Sequence, residues 1–296
     1  MQKRLEEHPS VIKYMLIASA AYAISGLSVH GLRGDSWDLA LFARALFGLP
    51  FAINGLSTLE YRSADLLAPA LMLRSVLAVS FLGVLYYALQ MISPGNAFAL
   101  VSMRPIWVAA ICLLLGQNKV KAVFWPLAVM GTFGVALMEG SHLTDSLGFM
   151  AIAAALGILG AGSTIAINYC HQYSDKLMTF HYTFLMLIAS IILISTSGDV
   201  SKIGLLISWK TTFLLIAMGM TGNIYTLFSI KSVKAVGAEA GSLIVLLTTI
   251  FAYVASHLIW KDTFSVTGLI GIALTLVPCV SIIGCGGVMK RPSVNP

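Results

Sequence analysis

Long apolar stretches separated by short polar gaps run along nearly the whole chain. A membrane-spanning helix needs about 20 mostly apolar residues, and the hydropathy pattern divides the chain into ten stretches of about that length. Turn-forming residues mark several gaps, as at Gly34-Asp35-Ser36 and Ser93-Pro94-Gly95. The predicted helices cover residues 14–32, 38–57, 70–92, 95–116, 123–139, 147–169, 177–197, 211–230, 236–259 and 264–285. The pattern therefore predicts an all-α polytopic membrane protein with ten transmembrane helices.

The composition agrees with this prediction and excludes several classes of function. About 58% of the 296 residues are hydrophobic and only 10% are charged, whereas soluble domains are about a quarter charged. The net charge is +6, but the basic residues are scattered singly between apolar runs, so we expect no nucleic-acid partner. The four cysteines have no paired spacing, and no nucleotide, zinc-hydrolase or serine-hydrolase motif is present. We therefore expect no cofactor, no metal and no enzymatic activity.

The distribution of lysine and arginine predicts the orientation. With both termini in the cytoplasm, about eleven basic residues fall in the inside segments and about four in the outside loops. This asymmetry follows the positive-inside rule and fits an even number of helices. The segments 140–145 and 198–210 would then face outward. We expect a multi-pass protein of a bacterial inner membrane, with the lipid bilayer as its surroundings and a monomer or homodimer as its assembly.

The two halves of the chain resemble each other weakly. Residues 93–97 at the start of the fourth predicted helix read like residues 236–240 at the start of the ninth, 143 residues later. Five helices per half is an odd number, so the second copy would enter the membrane from the opposite side. The prediction is two inverted five-helix repeats, residues 1–142 and 143–296.

An ordered set of short motifs carries a resemblance to a known family. These motifs are Leu41-Phe42-Ala43-Arg44, Leu73-Arg74-Ser75, Tyr86-Tyr87-Ala88-Leu89, Pro105, the run from Trp125 to Gly131-Thr132-Phe133-Gly134-Val135, and Gly268 with Gly271. With the ten predicted helices, they make the chain similar to the EamA-type transporters of the drug/metabolite transporter superfamily. The resemblance implies a five-plus-five helix fold and transport of small metabolites, most commonly export. The family's glutamate after the fourth helix is replaced here by Gln117.

Charged residues inside the predicted helices are the first candidates for a site, because each costs roughly 2.5–3.5 kcal/mol at the centre of a bilayer. Arg104 lies near the middle of its predicted helix and precedes Pro105, which removes a helix hydrogen bond. It is either a substrate contact or the partner of a carboxylate or carbonyl between helices. Arg44 and Arg74 lie nearer helix ends and match recurrent family positions, so we expect gating or structural roles for them and for Pro105.

One carboxylate and several polar or aromatic residues complete the candidate site. Glu239 lies inside the ninth predicted helix, where it is either a proton-coupling group or a solvated residue beside Lys234. Histidine titrates near neutral pH and tyrosine and tryptophan offer aromatic walls, although such residues also serve in packing. The further substrate-binding candidates are Tyr22, Trp107, His181, Asn223, Tyr225 and Tyr253.

The sequence predicts a secondary transporter of small polar or amphipathic metabolites. An amino acid or nucleoside-like compound with an anionic group is favoured, since three intramembrane arginines face one clear intramembrane carboxylate. The alternatives are proton-coupled efflux of hydrophobic cations and uptake or exchange of the S-adenosylmethionine type. From another class, a membrane-embedded lipid-modifying enzyme would need carboxylates or histidines clustered at one interface.

Overall fold

The fold is a bundle of α-helices. A computed structural model describes residues 2–30, 37–56, 66–91, 94–116, 122–139, 147–197, 209–260 and 265–284. The predicted outward loops at 140–145 and 198–208 lie outside these residues. The helices are α1 (Gln2–His30), α2 (Trp37–Leu56), α3 (Pro69–Met91), α4 (Pro94–Val101), α5 (Arg104–Leu114), α6 (Phe124–Glu139), α7 (Leu147–Ile167), α8 (Asp175–Ser197), α9 (Trp209–Val236), α10 (Ala238–Ser242), α11 (Ile244–Trp260) and α12 (Val266–Gly284). No strand occurs within the described ranges.

Six runs of these helices are long and apolar enough to cross a membrane. They are Ile12–Val29, Pro69–Met91, Ala97–Leu114, Asp175–Thr196, Thr211–Val236 and Ala238–Ala255. Many large apolar side chains on the outside of the bundle, such as Leu73, Phe133 and Ile192, are more than half exposed, which suits contact with lipid rather than water. The chain is therefore a multi-pass membrane protein, and the count of ten spans stays a prediction.

The fourth predicted helix is broken in the middle. Pro105 has no N–H to donate to Val101, and its ring crowds the preceding turn. The chain between α4 and α5 passes through a tight turn in which the Met103 amide donates to the Leu100 carbonyl at 3.2 Å and Ile106 donates to Met103 at 3.1 Å. Arg104 consequently becomes the first residue of α5, deep inside the protein.

The ninth predicted helix contains a matching break between α10 and α11. The Leu243 amide donates to the Ala240 carbonyl at 3.2 Å and Leu246 donates to Leu243 at 3.1 Å. A serine hydroxyl just before each break bonds back three residues at 2.6 Å, from Ser102 to Ala99 and from Ser242 to Glu239. Each position in the second break lies 140 residues after its counterpart, three fewer than the offset between the similar sequence segments.

Glycines allow the closest helix crossings. α6 packs against α12, and a methyl group added at Gly134 would lie 2.7 Å from the Gly271 carbonyl oxygen. α2 packs against α9, where a methyl group at Gly219 would lie 2.9 Å from the Gly48 nitrogen. Without a hydrophobic driving force between helices in lipid, such backbone approach is a main source of packing energy.

The remaining large contacts join the two halves of the chain. α1 packs against α9 and α11, α3 against α7 and α8, α2 against α8, and α5 against α7. The first half therefore contacts the second through most of its helices, and a space remains where α1, α3, α5, α7, α8 and α9 meet.

Candidate functional site

That space is a cavity of about 480 Å³, measured out to its mouth. Ligand pockets commonly occupy 300–1,000 Å³, so its size suits a small metabolite. Seven helices contribute to the wall. The lining residues are Tyr22, Arg44, Arg74, Ala78, Phe81, Leu82, Arg104, Ser163, Thr164, Ile167, Tyr182, Tyr225, Thr226 and Ser229.

The cavity lies toward one end of the bundle. Its lining reaches Arg74 in the second turn of α3 and Ile167, the last residue of α7. We call this end, where α3 and α8 begin and α7 and α9 end, the Arg74 end. The opposite half is filled by a core cluster that includes Val29, Leu89 and Phe98. The cavity is thus closed by packed side chains on the side away from the Arg74 end.

Arg44 is the most firmly held of the three arginines in the lining. Its Nη1 donates to the Tyr86 hydroxyl at 3.0 Å and to the Ser25 hydroxyl at 3.3 Å, and its Nη2 donates to the Gly222 carbonyl at 3.3 Å. A methyl group on Gly222 would lie 2.6 Å from the Arg44 Cζ, so the guanidinium needs a glycine at that position. Arg44 ties α1, α2, α3 and α9 together at the inner wall of the cavity.

Arg74 is held more loosely. Its Nη1 donates to the Met178 carbonyl at 3.4 Å, and its Cζ lies 5.3 Å from the centre of the Tyr182 ring. Its Nε is buried and has no hydrogen-bond partner among the described residues. The side chain is only 5% exposed, so it does not reach solvent as a residue near a helix end was expected to.

Arg104 has the fewest partners of the three. Its Nη1 donates to the Tyr225 hydroxyl at 3.4 Å, and its Cζ lies 4.4 Å from the centre of the Phe81 ring. Both Nε and Nη2 are buried without a hydrogen-bond partner in the described chain. A methyl group on Gly160 would lie 2.7 Å from the Nε, so a glycine on α7 makes room for this side chain. Arg104 therefore presents two free N–H groups inside the protein.

Tyrosines form a second part of the wall. Tyr22 stacks on Tyr225 with ring centroids 4.2 Å apart and meets Phe98 edge to face at 5.8 Å. The Tyr22 hydroxyl is buried and unpartnered among the described residues. A buried tyrosine hydroxyl normally finds a partner, so the free hydroxyl and the free guanidinium N–H groups point to a polar ligand.

No described residue in the lining is acidic. The acidic side chains whose surroundings the structure describes are engaged elsewhere. Asp175 pairs with Lys234 at 2.8 Å, Glu239 bonds the Cys112 side chain, and the Asp38 carboxylate accepts the Leu39 amide at 2.9 Å. The partners printed for the cavity arginines are neutral hydroxyls, carbonyls and aromatic rings, which do not cancel a charge. An anion is the ligand whose chemistry fits this wall.

Comparisons with known proteins agree with a membrane transporter. The pseudopaline exporter CntI of Pseudomonas aeruginosa, from two strains, is 22% identical over 217 residues, which are 72% of this chain and 74% of the exporter. A protein of known crystal structure shares the fold, with a TM-score of 0.70 at 14% identity over 92% of this chain and 98% of its own. No known family model matches. The distant similarity to an exporter and the apolar helices together indicate transport.

The structure brings part of the predicted site together. Arg104, Tyr22 and Tyr225 line the cavity, and so do Arg44 and Arg74, for which we expected gating or structural roles. Arg44 combines both roles, because it links four helices and still faces the cavity. Sequence position alone separated the three arginines, whereas the fold places them in one wall.

Asn223 and His181 lie outside the lining and already have partners. Asn223 accepts the Thr183 hydroxyl at 2.9 Å and donates to the Gly48 carbonyl at 2.6 Å. The two ring nitrogens of His181 lie 2.7 Å from the Ser75 hydroxyl and 2.9 Å from the Leu66 carbonyl. These contacts support helix packing and leave the predicted substrate contacts untested.

Trp107 and Tyr253 also lie away from the lining. Trp107 packs on Gly157 of α7, and Tyr253 packs on Gly268 of α12. Pro105 is buried at the start of α5, where it positions Arg104. Glu239 is half-buried in α10 and lies outside the cavity wall, so a coupling role would have to act from there.

Several lining residues escaped sequence reasoning. Ser163, Thr164, Thr226 and Ser229 carry hydroxyls into the cavity wall. The available signal was their spacing, since hydroxyl residues one helical turn or less apart share a face. Such residues are also common in lipid-facing and packing positions, and the pattern alone does not separate these cases.

Proposed function

We propose that this protein is a secondary transporter of small anionic metabolites that works by alternating access. The observation that carries the proposal is the single buried cavity lined by Arg44, Arg74 and Arg104, with unpartnered guanidinium N–H groups and no acidic residue in the described lining. A guanidinium binds a carboxylate or phosphate through paired hydrogen bonds. Amino acids and nucleotide-like compounds that bear such a group are the favoured substrates.

The alternating-access part rests on the proposed inverted repeat, residues 1–142 and 143–296. If ten spans are paired by position, with α4–α5 and α10–α11 each counted as one span, the α1·α9 contact corresponds to α3·α7, and α2·α9 corresponds to α3·α8. The α2·α8 and α6·α12 contacts correspond to themselves. The two helix breaks, 140 residues apart, support the same pairing. Two inverted halves that exchange conformations open a shared site first to one side and then to the other.

The lysine and arginine distribution supports a cytoplasmic location for both termini and for the Arg74 end. The structure would then correspond to an inward-facing state in a bacterial inner membrane. Cysteines introduced at Ser141 and Ser201 are expected to react with an impermeant maleimide in intact cells. Labelling at only one of these sites would contradict the ten-span topology.

Efflux of hydrophobic cations is less well supported by the site. A cation would enter a cavity that already holds three guanidinium groups, and repulsion between like charges disfavours it. S-adenosylmethionine has a cationic sulfonium beside its carboxylate, so it fits this wall less well than a purely anionic solute. For a lipid-modifying enzyme, no His/Cys/Asp/Glu cluster able to hold a metal occurs in the described part of the chain.

The function is tested by uptake into proteoliposomes that contain the full chain. Labelled glutamate, citrate, succinate and inorganic phosphate serve as anionic probes, and labelled lysine and tetraphenylphosphonium serve as cationic probes. We expect uptake of at least one anion above that of empty liposomes and none of the cations. Uptake of the cations alone would contradict the proposal, and turnover of lipid extract detected by mass spectrometry would favour an enzyme.

A further inference from the structure

We propose that the carrier exchanges one multivalent anion for another, because the empty cavity cannot close easily. The proposal rests on the proposed transport function and adds the charge class of the substrate and the mode of transport. It follows from how many buried cations share one cavity and from what neutralises them.

The three guanidinium groups belong to one electrostatic site. Arg44, Arg74 and Arg104 all line the same cavity, and their side chains are between 1% and 5% exposed. Arginine stays protonated in proteins, so the wall carries three positive charges. The polar contacts printed for these groups are to hydroxyls and carbonyls of Ser25, Tyr86, Gly222, Met178 and Tyr225.

Neutral partners orient a guanidinium but do not cancel its charge. While the cavity is open, water entering through its mouth can solvate the three groups. Alternating access passes through an occluded state in which most of that water is excluded. A buried charge that loses its water without gaining a counter-ion is strongly unfavourable. Occlusion of the empty site is therefore expected to be the slow step.

The pattern of free N–H groups indicates the charge of the ligand. Each of the three arginines has an unpartnered buried Nε, and Arg104 has a free Nη2 as well. A single carboxylate satisfies one guanidinium and leaves two positive charges uncompensated. A dianion or trianion compensates two or three, so it permits occlusion, and the return step then requires a second such anion. Net transport is slow and exchange is fast under this scheme.

The test compares exchange with net influx in proteoliposomes of the full chain. Liposomes are loaded with unlabelled citrate, succinate, inorganic phosphate or lactate, or left with neutral buffer, and uptake of the same labelled anion is measured. Valinomycin and equal potassium on both sides hold the membrane potential at zero, so that charge build-up does not limit net influx. A chloride-free buffer and a chloride buffer are compared, because chloride is the small anion that could neutralise the site instead.

We expect uptake of a multivalent anion to be at least about tenfold faster into loaded than into unloaded liposomes. Equal uptake into both would overturn exchange while leaving transport intact, and rapid net uptake in chloride alone would overturn the need for a multivalent counter-substrate. Preference for lactate over the multivalent anions would overturn the charge class. Failure of every anion to enter under any condition would instead overturn the proposed function.

A charge variant separates this reasoning from a merely structural role. Arg74→Gln removes one cation, so the empty cavity should close more readily and the ratio of exchange to net uptake should fall, by at least about threefold. Arg74→Lys retains the charge and is expected to keep the ratio near that of the unmodified chain. Equal ratios in Arg74→Gln and the unmodified chain, with both folded by size-exclusion chromatography, would refute the electrostatic argument.

Discussion

Replacement of Arg104 by glutamine is expected to separate stability from transport. In the unliganded protein, the guanidinium is buried, donates one 3.4 Å hydrogen bond to Tyr225 and lies 4.4 Å from the Phe81 ring centre. Burial of such a cation costs roughly 2.5–3.5 kcal/mol on insertion scales, and a cation–π contact returns about 0.5–2 kcal/mol. Arg104→Gln should therefore leave the thermal midpoint unchanged or raise it, corresponding to about 1 kcal/mol.

The same change should weaken binding of the anion. The free Nε and Nη2 of Arg104 can meet a carboxylate through two hydrogen bonds. A hydrogen bond to a charged group contributes about 1.5–3 kcal/mol, which is roughly a 10- to 150-fold change in affinity. Arg104→Lys keeps the charge but loses the paired geometry, so it should fall between glutamine and arginine.

The assay combines thermal unfolding in detergent with uptake into proteoliposomes of whichever anion enters fastest. Lys176→Gln provides the control, because it makes the same change of charge at an exposed position. Its uptake should match that of the unmodified chain. A lower thermal midpoint together with lost uptake in Arg104→Gln would mean that Arg104 supports the fold, and full uptake by a folded variant would remove it from the site.

Three glycine substitutions test the packing around the site. Gly222→Ala places a methyl group 2.6 Å from the Arg44 Cζ, so the guanidinium should shift and uptake should fall by about tenfold or more, with the fold retained because a flexible side chain can yield; uptake at the original rate would contradict this. Gly237 has φ 92° and ψ 168°, a region essentially restricted to glycine, so Gly237→Ala should lower the stability by about 1–3 kcal/mol in thermal unfolding. Gly134→Val would collide with the Gly271 backbone, and it should destabilise the α6–α12 crossing by about 1–3 kcal/mol and lower the yield of monodisperse protein; an unchanged yield and midpoint would show that the helices separate freely.

Local sequence was sufficient for the class of fold. Within lipid, a backbone must satisfy its own hydrogen bonds, so a long apolar segment has the α-helix as its main option. The sequence therefore predicted helices throughout the described chain, and Pro105 correctly indicated an interruption in the fourth predicted helix. The helix ends were less accurate: α9 continues to Val236, several residues past its predicted end, because the polar residues near its end still fit a helix beside Asp175 of α8.

The sequence also identified Arg104, Tyr22 and Tyr225 as candidates, but it did not predict that Arg44 and Arg74 would share their cavity. Depth along a helix can be estimated from the sequence, whereas the direction in which a side chain points depends on how the helices rotate and cross. Those rotations are fixed by contacts between distant segments. Gly222, which accepts a hydrogen bond from Arg44, lies 178 residues away from it, and only the packing of α2 against α9 brings the two together.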